Sequence, residues 1–121
     1  MYKKGENVVL DTIIDGLQDK KARDIVVADL RGIDDTICSC FVICQGGSPA
    51  QVSALAMSVG DKAREEADAR PLAVDGLRES LWVAMDYADI IVHIFMPAQR
   101  EFYDLEHLWE DADLTEIENI D

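Results

Sequence analysis

The turn Gly46-Gly47-Ser48-Pro49 is where residue types and spacing in this sequence come closest to catalytic chemistry. A Gly-Ser turn before a helix can hold a phosphate, because its backbone N–H groups and the helix dipole both favour an anion. Metal-assisted phosphoryl chemistry would also need paired carboxylates on a neighbouring strand. The nearby acids do not form that pair, since Asp61 falls on a predicted helix and Asp86 and Asp89 are three residues apart across a turn.

The turn is similar to the Gly-Ser turn of nucleotidyltransferases, so a metal-dependent enzyme that uses Ser48 with some of these three acids is one hypothesis. The alternative is helix capping, with Ser48 as the N-cap, Pro49 at the first helical position and Gln51 closing a capping box. Capping accounts for these residues without a further function, and we favour it. The sequence therefore predicts no catalytic residue, no cofactor and no metal site.

The other side chains with chemical potential are three cysteines and two histidines. Cys38, Cys40 and Cys44 fall in one apolar run, at a spacing that puts them on one face of a strand. An odd number of thiols, without the spacing of a zinc or redox motif, predicts buried free cysteines. His93 lies inside an apolar strand, which favours a core or interface histidine. His107 is predicted to face solvent from a helix.

Charge restricts the kind of partner. The 121 residues include 25 acids and 11 bases, for a net charge of −14. Nucleic-acid affinity depends on Lys and Arg, so the phosphate backbone is not expected to be the main partner. The net negative charge favours a basic partner, such as a basic protein, or no charged partner at all. No apolar run is long enough for a bilayer and the N-terminus does not look like a secretion signal, so we expect no membrane association and a cytoplasmic location.

Hydrophobic periodicity predicts the elements that position these residues. Helices are expected at about 7–20, 49–68 and 98–109, and strands at 25–28, 37–44, 72–74, 81–86 and 90–96. This order predicts a single domain of the α/β (α+β) class, with a mixed five-stranded sheet flanked by helices. Residues 1–112 form the domain, and residues 113–121 are expected to be an acidic C-terminal tail that frays.

Most of the aromatic residues lie between Trp82 and Trp109. Alternation places residues 81, 83 and 85 on the core face of their strand, so Trp82 and Asp86 lie on the other face. In the last predicted helix, Phe102, Leu105 and Trp109 (or Leu108) share an apolar stripe. The aromatic stretch is then either a satellite core under that helix or a binding face, because Trp, Tyr and Arg are enriched in interface hot spots.

Several blocks of the sequence resemble the ribosomal silencing factor family, also called Iojap. The most specific are Trp82-x-x-x-Asp86-Tyr87-x-Asp89 with Val92-His93-x-Phe95, and Arg100-x-Phe102-Tyr103-x-Leu105-Glu106-x-Leu108-Trp109. The match runs from about residue 7 to 112. One departure is Ala88, where the family usually has Gly. If this position needs a positive φ, Ala costs about 1 kcal/mol.

The resemblance implies a mixed α/β fold similar to nucleotidyltransferases but without their catalytic carboxylates. It implies a homodimer when free and binding to the large ribosomal subunit through its L-fourteen protein. The bound factor would sterically block small-subunit joining and so repress translation, with a possible further role in large-subunit biogenesis. The remaining hypothesis is a purely structural dimerisation module.

The resemblance and the residue types together indicate which side chains contact the partner. Two aromatic anchors, three acids for basic groups and two residues of the last helix are predicted. They are Trp82 and Tyr87, then Asp86, Asp89 and Glu106, then Arg100 and Tyr103.

Overall fold

The computed structural model describes residues 2–32, 38–108 and 112–120. Four helices and six strands follow one another along these residues. They are α1 (Val8–Asp19), β1 (Arg23–Asp29), β2 (Cys40–Gln45), α2 (Pro49–Ala67), β3 (Ala73–Asp75), β4 (Trp82–Asp86), β5 (Ile90–Phe95), α3 (Pro97–Tyr103), α4 (Leu105–Leu108) and β6 (Asp113–Ile117). The expected helices and strands up to residue 103 are confirmed, with their bounds shifted by a few residues.

The strands form one mixed sheet in the order β3-β4-β5-β2-β1-β6. Only β2 and β5 pair in parallel, from Cys40 opposite Ile90 to Gln45 opposite Phe95. Their connection runs through α2 and the hairpin strands β3 and β4, as a parallel pair requires a long crossover. These two central strands are almost entirely buried. Their apolar, β-branched sequences are typical of strands that are covered on both faces.

The sheet has six strands, so the prediction of five is wrong. The additional strand is β6, which pairs antiparallel with β1. It lies within residues 113–121, the segment that was predicted to be a frayed acidic tail. Ile117 packs against the main core, while Asp113 and Glu116 remain exposed. The acidic residues of this segment led to the prediction of a solvated tail. In an edge strand, however, acidic side chains need solvent on only one side, and the backbone pairing with β1 holds the segment in place.

One face of the sheet carries α1 and α2 and contains the main core. Leu17 of α1, Val59 of α2 and Val92 of β5 are fully buried there. The two helices approach closely at Gly16, where a Cβ atom would lie 3.1 Å from the Cα atom of Val59. The Ser58 hydroxyl also donates a hydrogen bond to the Gly16 carbonyl at 2.7 Å. This face therefore provides the rigid support for the opposite face.

The opposite face has a smaller core, against which Leu105 of α4 packs. Phe41, Ile43 and Phe95 are buried there, and Cys38 joins them. Cys40 and Cys44 lie in the main core instead, so the prediction that all three cysteines share one face is wrong. The strand begins only at Cys40, and Cys38 precedes it in a bend where strand alternation does not apply.

Two details of the C-terminal half also differ from prediction. The single helix expected over 98–109 is two helices, because Asp104 has left-handed backbone geometry with φ +47° and ends α3. Trp109 lies outside the described residues. Leu81, predicted to face the core with Val83 and Met85, is 40% exposed. Strand β4 begins after it, at Trp82, so the alternation does not extend to residue 81.

The turn between β4 and β5 confirms the expectation of local bonding by Asp86. Its Oδ1 accepts the backbone N–H of Ala88 at 2.8 Å, and the Tyr87 N–H donates to the Ile90 carbonyl at 2.8 Å. Ala88 has φ +71°, in the region that favours glycine. An L-residue with a Cβ atom is strained there.

Replacing Ala88 by Gly should therefore stabilise the protein by about 1 kcal/mol, since it removes this strain. Urea unfolding followed by circular dichroism measures the change. Ala84→Gly is the matched control, because Ala84 lies in regular strand β4 and its replacement should lower the free energy of unfolding. Equal effects of the two substitutions would contradict the assignment of strain to position 88.

Candidate partner-binding face

The Gly-Ser turn is a helix cap. Ser48 is the N-cap of α2, its Oγ accepts the Gln51 N–H at 3.1 Å, and Pro49 occupies the first turn. The Gln51 side chain reaches back to the Gly47 N–H at 2.7 Å, one residue earlier than a standard capping box. The prediction of capping is confirmed. A phosphate bound at this turn would have to displace the Gln51 amide oxygen from the Gly47 N–H.

The acids of the enzyme hypothesis do not gather around Ser48. Ser48 follows the carboxyl end of β2, whereas Asp89 precedes the amino end of the parallel strand β5. Five residues of parallel strand separate these ends, which is about 17 Å. Asp61 lies in α2, the helix that Ser48 caps, toward its carboxyl half. Within the described ranges, no group of three or more metal-binding side chains is close enough to hold an ion.

Trp82 lies at the centre of an aromatic cluster on the second face of the sheet. Its indole stacks on Phe95 with ring centroids 5.0 Å apart and an interplanar angle of 22°. Tyr103 of α3 packs against it at 4.5 Å. The indole N–H donates to Nδ1 of His93 at 3.1 Å. Trp82 is half-buried, so it belongs partly to the satellite core and partly to the surface.

The outer side of this cluster is formed by α3. Tyr103 is 48% exposed and Phe102 is 81% exposed, and their rings meet edge to face at 5.1 Å. Phe102 was predicted to share an apolar stripe with Leu105, but Leu105 packs on the smaller core whereas Phe102 is exposed, so the shared stripe is wrong. Adjacent residues of a helix point about 100° apart, so both aromatics of the Phe-Tyr pair cannot pack on Trp82. This spacing was the signal in the sequence that could have identified Phe102 as a surface residue.

Asp86, Tyr87 and Asp89 lie at the other end of β4, near its turn. Trp82 pairs with Phe95 and Asp86 with Ile91, which separates Trp82 from Asp86 by about 13 Å along the strand. Asp86 lies on the same face as Trp82, and Asp89 is exposed. The Tyr87 ring instead packs against the main core, its buried hydroxyl has no hydrogen bond to any described residue, and burial raises its pKa.

Arg100 and Glu106 bind each other. The Arg100 Nε donates to the Glu106 Oε1 at 2.8 Å, and its Nη1 donates to the Asp24 carbonyl at 2.7 Å and to the Gln45 Oε1 at 3.3 Å. The Arg100 side chain is only 11% exposed. These bonds connect α3 to α4 and to the sheet. The two side chains therefore form part of the fold, and their contact with a partner stays a prediction.

His93 and the cysteines are buried, as predicted. The strong desolvation of His93 lowers its pKa to about 4, and its Nδ1 must be unprotonated to accept the Trp82 N–H. Burial raises the pKa of Cys38 to about 11 and that of Cys44 to about 12. These thiols are free and remain protonated near neutral pH. His107 is exposed and pairs with Asp104, in agreement with the prediction.

The residues on the open part of the second face define a surface that we call the aromatic–acidic face. It consists of Trp82, Ala84, Asp86, Ile91, Phe102 and Tyr103. Phe102 and Tyr103 protrude, while the strand residues between them and Asp86 are half-exposed. Exposed Glu101 and Asp89 border it, and none of its six residues is basic. Such a surface suits a flat protein partner with positive charge better than a small substrate, which needs an enclosed pocket.

The fold and this face define a class of small α+β domain that carries exposed aromatic residues on one side of a mixed sheet. A family model described as ribosomal silencing factor during starvation matches residues 3–121. The chain belongs to this family, which confirms the resemblance found in the sequence. Among the described residues, none of the helices combines the length and the apolar character of a membrane span.

Individual relatives agree with this assignment. The ribosomal silencing factor of Bacillus subtilis is 38% identical over 100 residues, which is 83% of each chain. That of Halalkalibacterium halodurans is 34% identical over 112 residues, which is 93% of this chain and 94% of the relative. The chloroplastic protein Iojap of Zea mays is 31% identical over 77 residues, which is 64% of this chain and 33% of that longer protein.

Solved structures share the fold. A crystal structure of a protein from Chromobacterium violaceum superimposes with a TM-score of 0.79 at 33% identity, over 84% of this chain and 83% of that one. A crystal structure of a protein from Bacillus halodurans gives a TM-score of 0.77 at 31% identity, over 90% of this chain and 97% of that one. The α+β architecture predicted from the sequence is confirmed, apart from the number of strands.

The Arg100 contacts predict a stability effect. Arg100→Met should lower the free energy of unfolding by about 2 kcal/mol, because it leaves Glu106 half-buried without its partner. Arg100→Lys should recover only part of this loss, since Lys lacks the forked guanidinium. Denaturant unfolding measures both. Arg78→Met, at an exposed position, is the control, and a loss no larger than the control's would refute the structural role of Arg100.

Proposed function

We propose that the protein represses translation by binding the ribosome through the aromatic–acidic face. The observation that carries the proposal is the exposed Phe102 and Tyr103 pair, supported from below by Trp82. Exposed aromatic anchors on a rigid support are typical of interface hot spots. Family membership and the printed name of the relatives, ribosomal silencing factor, support the ribosome as the partner.

We propose the large ribosomal subunit, through its L-fourteen protein, as the specific partner. The net charge of −14 and the acids around the face suit a basic protein surface. A domain bound at the intersubunit side of that protein would occupy space that the small subunit needs, and so would block subunit joining without any chemical step. A role in large-subunit biogenesis would use the same contact. In this proposal the protein acts where ribosomes are, in the cytoplasm.

Binding without catalysis is the function favoured over the enzyme hypothesis. Two features argue for this preference. The Gly47 N–H that a phosphate would use is occupied by Gln51, and the carboxylates near Ser48 are not arranged as a metal pair. Calorimetric titration of the protein with nucleotide and Mg²⁺ should give no heat of binding, and saturable binding at micromolar nucleotide would favour the enzyme instead.

The proposal predicts that Phe102→Ser weakens binding to purified large subunits at least tenfold, because it removes an exposed hot-spot side chain. Co-sedimentation measures the affinity, and light scattering measures the accompanying loss of the block on small-subunit joining. The fold should be unaffected, since the Phe102 side chain is 81% exposed. Val8→Ser is the matched control, because Val8 is a similarly exposed apolar residue on α1.

A charge variant sharpens this test. Asp86→Asn keeps an oxygen that can accept the Ala88 N–H and removes only the negative charge. The affinity should fall, and it should depend less steeply on salt than that of the unmodified protein. If Phe102→Ser and Asp86→Asn both bound like the Val8→Ser control, the aromatic–acidic face would not be the ribosome-binding surface.

We also propose that the free protein is a homodimer, and that an apolar groove between α2 and β3 forms its interface. The groove has a volume of about 250 Å³ and its lining includes Met57, Leu77 and Met85. Asp61, Arg64 and Arg70 also line it, so this part of an otherwise acidic surface carries both signs of charge. A two-fold interface sets the same patch against itself, which a mixed-charge patch tolerates and a uniformly acidic one opposes.

Met57→Glu should therefore convert the protein to a monomer, because it places a charge in the apolar centre of the two-fold contact. Met57 is 59% exposed, so the fold should not depend on it. Analytical ultracentrifugation at micromolar concentration measures the change, with Phe102→Ser as a control that should remain dimeric. A Met57→Glu protein with the sedimentation coefficient of the unmodified dimer would place the interface elsewhere.

A further inference from the structure

The only described hydrogen bond of the Trp82 indole is to a buried side chain of the neighbouring strand. Its N–H donates to His93 Nδ1 at 3.1 Å. Trp82 lies opposite Phe95 and His93 opposite Ala84 in the register of β4 and β5, so Trp82 and His93 form a diagonal pair on one face of the sheet. An indole has one donor and no acceptor, so this bond uses its entire hydrogen-bonding capacity.

The His93 ring is held in one orientation by its neighbours. Phe41 lies perpendicular to it with centroids 5.0 Å apart, and Phe95 lies nearly parallel at 6.1 Å. His93 is 7% exposed, so there is little room for its ring to turn. The direction of Nδ1 is therefore fixed by the core, and with it the position that the Trp82 N–H must adopt.

The other nitrogen of His93 argues that the residue type is not needed for packing alone. Its Nε2 is buried and has no hydrogen-bond partner among the residues that the structure describes. A buried, unsatisfied polar group destabilises a fold, so an apolar ring such as Phe would suit this part of the core better. The feature that a histidine adds here, and that an apolar ring lacks, is the acceptor for Trp82.

Aromatic packing connects the Trp82 side chain to the protein surface. Tyr103 packs on the Trp82 indole at 4.5 Å, and Phe102 packs edge to face on Tyr103 at 5.1 Å. A change in the tilt of the indole would therefore move the support of both exposed aromatics. Helix α3 has seven residues and none of them is buried, so apart from the hydrogen bonds of Arg100 it has little other packing to hold the two aromatics in place.

We propose that His93 is a positioning residue for partner binding: it fixes the Trp82 indole, and the fixed indole holds Tyr103 and Phe102 in the arrangement that the partner contacts. The proposal rests on the proposed function, because it assigns to His93 the pre-organisation of that same face. Pre-organised anchors bind more tightly because less side-chain freedom is lost on association.

The first test compares His93→Phe with His93→Asn. Phe keeps a ring and removes the acceptor, whereas the Asn Oδ1 retains an acceptor close to the position of Nδ1. In a Trp109→Phe background, the indole ¹H–¹⁵N resonance reports on Trp82 alone. His93→Phe should shift this resonance and speed its hydrogen exchange. It should also weaken binding to large subunits about tenfold, and His93→Asn should restore most of both.

The second test is a double-mutant cycle with Trp82→Phe, which keeps an aromatic ring and removes the N–H donor. If His93 acts through this bond, His93→Phe should cause no further loss of affinity in the Trp82→Phe protein. An equal loss in both backgrounds would show that His93 acts through general packing and would overturn the proposal. Should His93→Phe fail to fold, Trp82→Phe alone decides, because unchanged affinity would show that the bond does not contribute.

The positioning role of His93 can fail while the proposed function stands. Phe102→Ser tests the face without altering the Trp82–His93 bond. If Phe102→Ser weakens ribosome binding while His93→Phe alters the indole resonance but not the affinity, only the positioning role fails. If neither Phe102→Ser nor Asp86→Asn has an effect, the face itself is wrong, and the role of His93 in binding fails with it.

Discussion

The parallel pairing of β2 with β5 is the constraint on which the rest of this structure depends. Two parallel neighbours need a long connection, and here that connection supplies α2 and the hairpin strands β3 and β4. It also places the cap of α2 at one end of the central strands and the turn after Asp86 at the other. Ser48 and Asp89, which the enzyme hypothesis places in one site, are thus separated by the length of the central strands.

The two faces of the sheet are covered unequally, and this inequality produces the candidate binding surface. Two long helices cover most of one face, which contains the main core. Among the described residues, the helices on the other face are α3 and α4, of seven and four residues, and part of β4 and β5 is half-exposed there. Trp82 lies where the buried part of this second face meets its solvent-exposed part. Its inner side belongs to the core and its outer side supports Tyr103, so one side chain is shared by the core and the candidate binding surface.

Much of this architecture was predictable from sequence, because periodicity and breakers are local properties. The cap at Ser48, the buried strand around Val42 and the turn at Asp86 each follow from a few neighbouring residues. The strand β6 was not predictable in this way, since its pairing partner lies far away along the chain and its acids suggested a solvated tail. The apolar stripe expected over Phe102 and Leu105 was wrong because Asp104 ends α3 between them, so the two residues lie on different helices. The family blocks located the candidate surface, but burial was needed to separate Tyr87 and Arg100 from the exposed anchors.

The strand β6 has a consequence for the order of folding. Asp24 and Asn119, hydrogen-bonded beside the β1–β6 pair, are 95 positions apart in the chain. During synthesis β1 is complete long before β6 exists, so the outer edge of β1 stays open while the intervening residues are made. Contacts this distant in sequence also slow folding, because a large loop must close before they form. Once β6 has formed, its exposed Asp113 and Glu116 place negative charge along the outer edge of the sheet, where like charges discourage a second copy from pairing.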